Sequence, residues 1–200
     1  TGPLLIFANM LSGYVRTIAP WRTVVAWDSH CQWRRTIHPG YKAGRLPNDQ
    51  KEASVSRSFH LAHEFLAAFG VPEAMAPDFE ADDIIAAWVR EQVAVARGLR
   101  RDNSGRFQPI ACGVISSDKD LLQLVSDIST QYRPGDPEPW TPERVEEKMG
   151  CTPALLPVVQ ALAGDKIDGV EGLKGVGLKT ACKLLAANDW DIGKLLDSDQ

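Results

Sequence analysis

Carboxylates are the residues of this chain whose type and spacing suit chemistry. They fall into four groups: Asp28; Glu80-Ala81-Asp82-Asp83; Asp118-Lys119-Asp120; and Asp165-Lys166-Ile167-Asp168. Carboxylates that converge from separate segments repel one another unless a cation lies among them. An oxygen-only donor set suits Mg²⁺ or Mn²⁺. Two such ions ~4 Å apart activate a water and stabilise the leaving oxygen of an in-line phosphoryl displacement. For each group taken singly the alternative is structural. Acids in a first helical turn favour the helix dipole, and a D-x-D after a strand often only caps the next element.

The elements around these groups are placed to bring them together. Val24–Trp27 reads as a strand ending at Asp28, and Ile110–Ile115 as a strand running to Asp118. Open α/β sheets bind ligands beyond the carboxyl ends of their strands. A helix over Asp82–Ala96 puts the second group at its start, with Glu80 and Asp83 on one face. Helices are also expected over Leu4–Val15, over Phe59–Phe69 up to Gly70, and from Leu121. Thr141-Pro142 and Thr152-Pro153 each pair an N-cap with proline at the first helical position, starting helices that reach Met149 and Ala163. Val71–Met75 suits a short strand, 98–108 a loop, and 132–140 a proline-rich connection. Strands alternating with helices predict an α/β protein built on a parallel sheet. The all-helical tail divides the chain into 1–150 and 151–200.

Composition sets the limits. The chain has 200 residues, 44% hydrophobic and 24% charged, which fits a soluble globular protein with a sizeable core. The net charge of −4 carries no overall nucleic-acid signature, yet residues 29–58 set Arg34, Arg35, His38, Tyr41, Lys42, Arg45, Lys51 and Arg57 against only Asp49 and Glu52. Cys31, Cys112, Cys151 and Cys182 form no C-x-x-C pair and no metal spacing; they read as reduced thiols of a cytoplasmic protein. No run approaches the ~18 apolar residues of a membrane span. His60, His63 and Glu64 make H-x-x-H-E rather than a zinc H-E-x-x-H, and a solvent-facing or capping role is expected. Ser116 and Ser117 have no histidine to activate them and read as turn residues or phosphate contacts. Trp33 is expected to pack in the core, with stacking on a base as the alternative.

Residues 164–182, GDKIDGVEGLKGVGLKTAC, are rich in glycine. A phosphate-binding G-x-x-x-x-G-K-[ST] fails because Lys179 comes one place late, and G-x-G-x-x-G fails at Thr180. A turn between two helices fits. Gly172, Gly175 and Gly177 would allow positive φ and close approach of a ligand. N–H groups of the following helix, with Lys174 and Lys179, would attract a nucleic-acid backbone. A tight helix–helix turn without a ligand is the alternative.

Five segments now carry a resemblance: VVAWD at 24–28, YKAGR at 41–45, EADD at 80–83, SSDKDLLQL at 116–124, and LAGDKIDGVEGLKGVGLKTACKLL at 162–185. In this order and spacing the chain resembles the 5′→3′ exonuclease and flap endonuclease family, which includes the N-terminal nuclease domain of bacterial DNA polymerase I and stand-alone phage enzymes. The resemblance implies a PIN-like parallel-sheet nuclease domain over 1–150 and a helix–hairpin–helix (H3TH) module over 151–200. It implies Asp28, Glu80, Asp82, Asp83, Asp118, Asp120, Asp165 and Asp168 as ligands of two or more Mg²⁺ or Mn²⁺ ions. Tyr41, Lys42 and Arg45 match the base of a helical arch that grips the 5′ end, with Lys42 beside the scissile phosphate. Arg34 or Arg35 would contact phosphate. Gly172, Lys174, Gly175, Gly177, Lys179 and Thr180 match the duplex-binding hairpin, which in this family often holds K⁺.

A metal-dependent, structure-selective 5′ nuclease is therefore expected. It would act on DNA with a 5′ flap or a 5′ end beside duplex, removing primers and flaps in replication and repair. It would be a monomer, fused to or working with a DNA polymerase. A PIN-type ribonuclease on single-stranded RNA and a catalytically inactive DNA-binding fragment are the alternatives. The family opens with a strand ending in a further metal-binding Asp, and none precedes Asp28. Asn9 is too close to Asp28 to stand in for it. The first strand is accordingly expected to be missing from this chain, and the hairpin module to be incomplete.

Overall fold

A computed structural model describes residues 2–29, 31–43, 49–99 and 111–197. Arg45, Arg100 and most of the loop expected over 98–108 lie outside them. The chain forms two compact units, one of residues 1–37 and 45–87, the other of residues 38–44 and 88–200.

In the first unit, helix α1 (Gly2–Ile18) leads to strand β1 (Val25–Ala26), a short helix α2 (Trp33–Ile37), the long helix α3 (Asp49–Ala68) and strand β2 (Glu73–Ala74). β1 and β2 pair in parallel, Val25 opposite Glu73 and Ala26 opposite Ala74. Parallel strands need a crossover, and α3 supplies it. Gly70, at φ +64°, lets the chain reverse after α3. α3 starts ten residues before the expected Phe59, because its polar first half carries no hydrophobic period to read. Leu66 and Ala62 of α3 are buried. Phe7 of α1 approaches Trp27 at 6.2 Å and Phe65 at 6.3 Å, and Trp27 lies 4.9 Å from Phe59. Helix α4 (Ala81–Leu99) begins in this unit.

In the second unit, strand β3 (Cys112–Ile115) pairs in parallel with β4 (Ser129–Tyr132), from Cys112 opposite Ser129 to Ile115 opposite Tyr132. The helix expected from Leu121 is a single 3₁₀ stretch, Asp120–Leu124. It stops because Ser126 makes a turn: its Oγ accepts from the N–H groups of Ile128 and Ser129, and its own N–H donates to Ser129 O. Helix α5 (Pro142–Met149) opens at Thr141, whose hydroxyl accepts from Arg144 N–H, and ends at Gly150 with φ +82°. A 3₁₀ turn, Pro153–Leu155, precedes α6 (Leu156–Ala163); α7 (Leu178–Ala187) and α8 (Ile192–Asp197) complete the chain. One core cluster unites Leu122, Val125, Trp140 and Val145 with Leu156, Val159 and Leu162 of α6 and Ala181, Cys182 and Leu185 of α7.

Two further expectations change. The parallel sheet is two separate two-stranded parallel pairs among the described residues. Trp33 is 41% exposed, with the Arg34 guanidinium 4.8 Å from its ring centroid, and does not enter a core. His60 faces solvent, as expected, and His63 pairs with Glu73. All four cysteines are free thiols. Burial and the adjacent Cys182 thiol push Cys151 up to about 12. No helix among the described residues is long and apolar enough to cross a membrane.

Candidate functional site

The first unit gathers Asp28, Glu80 and Asp83 at the N-terminus of α4. Chain leaving β1 places Asp28 so that its Oδ1 accepts from Ala81 N–H at 2.8 Å. Asp83, one turn into α4, reaches back to Glu80 N–H at 3.1 Å. Both are helix-capping contacts that satisfy N–H groups the helix leaves open. Arg34 of α2 enters this cluster. Its Nη1 and Nη2 grip the two oxygens of Asp83 at 2.9 and 2.6 Å, and Nη1 lies 3.3 Å from Glu80 Oε2. This is the bidentate geometry a guanidinium prefers with a carboxylate. Arg35, its neighbour, is exposed. Asp82 sits in the same first turn.

The second unit carries the other acids. Asp118 follows β3, takes its turn from Ser116 Oγ at 3.1 Å, and accepts from Asp120 N–H at 2.8 Å. Asp120 begins the 3₁₀ stretch, and its Oδ1 accepts from Gln160 Nε2 on α6. Burial, followed by repulsion from Asp118 and Asp165, holds the Asp120 carboxyl above its ordinary range, against the pull of the Gln160 hydrogen bond and of Lys119. Asp165 closes a small turn: its Oδ1 accepts from Ile167 and Asp168 N–H at 2.8 and 3.3 Å, and its backbone exchanges two hydrogen bonds with Val170.

The segment 38–43 docks on that turn. His38 Nε2 donates to Gly169 O at 2.9 Å, and Lys42 N–H donates to Asp168 O at 3.1 Å. Gly169, at φ +75°, runs so close to Gly40 that a Cβ would stand 2.6 Å from its carbonyl oxygen. Lys42 itself holds φ +54°, with its ammonium 4.8 Å from the Tyr41 ring centroid.

The glycines after α6 do different work from one another. Gly172 does not take positive φ to admit a ligand. A Cβ on it would overlap the Ala163 and Gly164 backbone, and one on Gly164 would overlap Gly172, so this pair lets the chain re-cross the end of α6. Leu173 N–H then bonds Leu162 O at 2.8 Å. Gly177 is extended at φ −99° as the N-cap of α7, and only Gly175, at φ +81°, is left-handed among the three. Lys179 and Thr180 open α7, and Lys174 precedes it in the turn.

With this geometry in place, comparisons with known proteins carry weight. Residues 1–150 match the family model described as 5′-3′ exonuclease, N-terminal resolvase-like domain. The chain belongs to this family. Members of the 5′-3′ exonuclease family are nucleases acting on DNA. DNA polymerase I of Bacillus caldotenax is 36% identical over 185 residues, which is 90% of this chain and 19% of that protein. A 5′-3′ exonuclease of Aquifex aeolicus is 34% identical over 186 residues, 92% of this chain and 59% of that protein. The chain therefore spans about a fifth of the polymerase and under two thirds of the exonuclease it matches. The fold is the resolvase-like, PIN-like nuclease fold. A bacteriophage T5 5′-exonuclease solved with zinc bound superposes with a TM-score of 0.76 at 16% identity, over 98% of this chain and 70% of that one. A T5 flap endonuclease complex with DNA and metal ions gives 0.76 at 15% identity, over 97% and 70%.

The expected site residues of this 5′-3′ exonuclease family member fall in both units. Asp28, Glu80 and Asp83 share one cluster with Arg34. Asp118, Asp120 and Asp165 share another, while Asp168 meets Lys42 through its backbone. As the side chains stand, no group of three or more His, Cys, Asp or Glu among the described residues closes into a metal cage. The acids are instead engaged with N–H groups, Gln160 and Arg34. Sequence reasoning missed Gln160 and His38 as partners of the site. A lone polar residue on an apolar helix was the only signal for the first, and the second stood out only as one residue of the basic stretch over 29–58.

Proposed function

We propose that this chain is a divalent-metal-dependent, structure-selective 5′ nuclease that hydrolyses DNA phosphodiesters at a 5′ flap or at a 5′ end beside duplex. The observation that carries the reading is the pairing of family membership with the Asp118–Asp120–Asp165 cluster. There the chain half-buries Asp120 beside two other carboxylates, and burial first, then their repulsion, raises it at the fold's own cost. Acid oxygens are the donor type that hard cations prefer, so the residues fit Mg²⁺ or Mn²⁺ by chemistry. Asp28, Glu80, Asp82 and Asp83 of the first unit, and Asp118, Asp120, Asp165 and Asp168 of the second, are the proposed ligands. Bound ions would supply a water of lowered pKa and offset charge on the leaving oxygen.

The chain's own residues do the rest. Lys42, its backbone fixed by Asp168, presents an ammonium to charge developing on phosphate. Tyr41 and Arg45 complete the grip on the 5′ end, and Arg34 or Arg35 contacts phosphate. The turn from Gly172 to Thr180, between α6 and α7, serves as the duplex-binding hairpin, with Lys174 and Lys179 neutralising phosphates and with K⁺ as its proposed ion. We place this module at 151–200 beside a nuclease domain at 1–150, working as a monomer with a DNA polymerase in primer and flap removal.

The test is a 5′-flap duplex incubated with and without Mg²⁺, with the parent chain and an Asp118→Ala, Asp120→Ala double variant. Mg²⁺-dependent cutting near the junction, abolished in the variant, is the expected result. Cutting of single-stranded RNA in preference to the flap would replace the reading with a ribonuclease. DNA binding without cutting would leave a binding fragment.

A further inference from the structure

Asp118 lies on the connection after β3, and Asp120 only begins a short 3₁₀ stretch, so something other than a ladder must hold them. Among the described residues the carbonyls of 116–118 accept from no backbone N–H and must be satisfied elsewhere. Gln131 of β4 and Arg133, the residue just beyond its end, take three of them in succession. Gln131 Nε2 donates to Ser116 O at 2.9 Å and to Asp118 O at 2.5 Å. Arg133 Nη2 donates to Ser117 O at 2.7 Å. A third side chain, Gln160, reaches the Asp120 carboxylate from α6.

These residues are committed to the task. Gln131 is fully buried, and its Oε1 has no hydrogen-bond partner; Arg133 Nε is likewise buried and unpaired. A buried unsatisfied polar atom destabilises a fold and calls for an explanation. An apolar residue would serve the core better at position 131, unless the amide is needed where it points. Arg133 is fixed in turn. Its guanidinium lies 5.4 Å from the Trp140 ring centroid, and Trp140 Nε1 donates to Asp136 at 2.9 Å. Arg144, 4.8 Å from the same ring, completes the stack and pairs with Asp136 at 2.9 Å. The loop is thus anchored to a rigid aromatic–guanidinium stack on one side and to a buried amide on the other.

We propose that Gln131, Arg133 and Gln160 are positioning residues that hold Asp118 and Asp120 together against their own repulsion, so that a divalent cation meets a preset pair of carboxylates. The inference rests on the proposed function, which makes these two acids metal ligands. Partners of this kind typically govern metal affinity by about 10–100-fold.

The experiment measures Mn²⁺ binding to the full chain by calorimetry. The sites that count are those lost in the Asp118→Ala, Asp120→Ala variant. Gln131→Met, Arg133→Met and Gln160→Leu should each weaken that binding by about 10-fold or more. Arg133→Lys, which keeps a donor for Ser117 O, should retain most of it. On the flap substrate, kcat should fall at saturating DNA while KM for DNA stays near the parent value. Should Gln131→Met fail to fold, the half-buried Arg133 and Gln160 variants decide the matter. Folded variants that bind Mn²⁺ like the parent overturn the clamp even if the parent cuts DNA. Weakened binding in a chain that cuts no DNA keeps the clamp and sinks the nuclease reading.

Discussion

The two acid clusters solve one problem in opposite ways. In the first unit, Glu80 and Asp83 are neutralised from within: the Arg34 guanidinium lies against both, and the side chains of Arg34, Glu80 and Asp83 are only 22%, 13% and 25% exposed. In the second unit no arginine enters among Asp118, Asp120 and Asp165 in the described contacts; amides and backbone N–H groups hold them, and Asp120 stays shifted upward. A cluster that carries its own cation is stable when metal-free, but must give up Arg34 to take another cation. The second cluster has only the neighbouring Lys119 to offset it, and on the proposed function it would be the one readier to bind. The difference teaches that carboxylates alone do not define a metal site; what stands among them does.

The largest expected effect breaks the framework beneath the second cluster. Gly172→Ala drives a methyl into the backbone of Ala163 and Gly164, which no side-chain rotation relieves. The loss should be on the order of 4 kcal/mol or more, among the severe single-residue effects. Gly175→Ala is the matched control. It has open space but a left-handed backbone, and should cost about 1–2 kcal/mol. Thermal melts of the two variants read the difference. Equal losses would mean that close approach of the chain does not hold this turn.

Next in size is removal of the built-in cation. Arg34→Gln leaves Glu80 and Asp83 facing each other at the start of α4. The metal-free fold should lose about 1–2 kcal/mol, or roughly 2–8 °C in Tm at 2–4 °C per kcal/mol for a chain of this size. Added Mn²⁺ should then raise the variant's Tm by more than it raises the parent's, because nothing competes for the two carboxylates. An equal Mn²⁺ shift in both proteins would show that Arg34 and the ion do not share ligands.

How far the sequence could announce this arrangement depended on which force set each part. Thr141-Pro142 and Gly70 marked a helix start and a helix end because caps and positive φ are local requirements, written in single residues. The acids were legible because their residue type is their chemistry. β4 was not. Its buried face is Ser129 and Gln131, so a strand lies inward on polar atoms and hydropathy points the wrong way. The first half of α3 was hidden for the reverse reason, as a helix with no apolar stripe. The partition of the sheet into two pairs and the docking of His38 on Gly169 depend on contacts between residues far apart in sequence, which spacing along the chain does not encode.

The smallest effect has the sharpest sign. Asp120→Asn removes a charge that burial and two neighbouring acids oppose, yet keeps an oxygen to accept from Gln160. In the unfolded parent this carboxyl ionises through its ordinary range near 3.8; in the folded parent it does so at higher pH. Within that window the unfolded chain has released a proton that the folded chain still holds, so each rise in pH favours unfolding, and above the folded pKa the penalty is constant. The variant should therefore be the more stable protein at neutral pH, with the gap closing as pH falls through the window. Asp83→Asn should do the opposite, because it breaks the bidentate pair with Arg34 and leaves a guanidinium half-served. The same isosteric change would then stabilise one cluster and destabilise the other. Metal-free melts of both variants, from acid to neutral pH, make the comparison directly. An Asp120→Asn protein that melts below the parent at neutral pH would mean that its charged hydrogen bond to Gln160 outweighs the repulsion, and that the second cluster is held as well as the first.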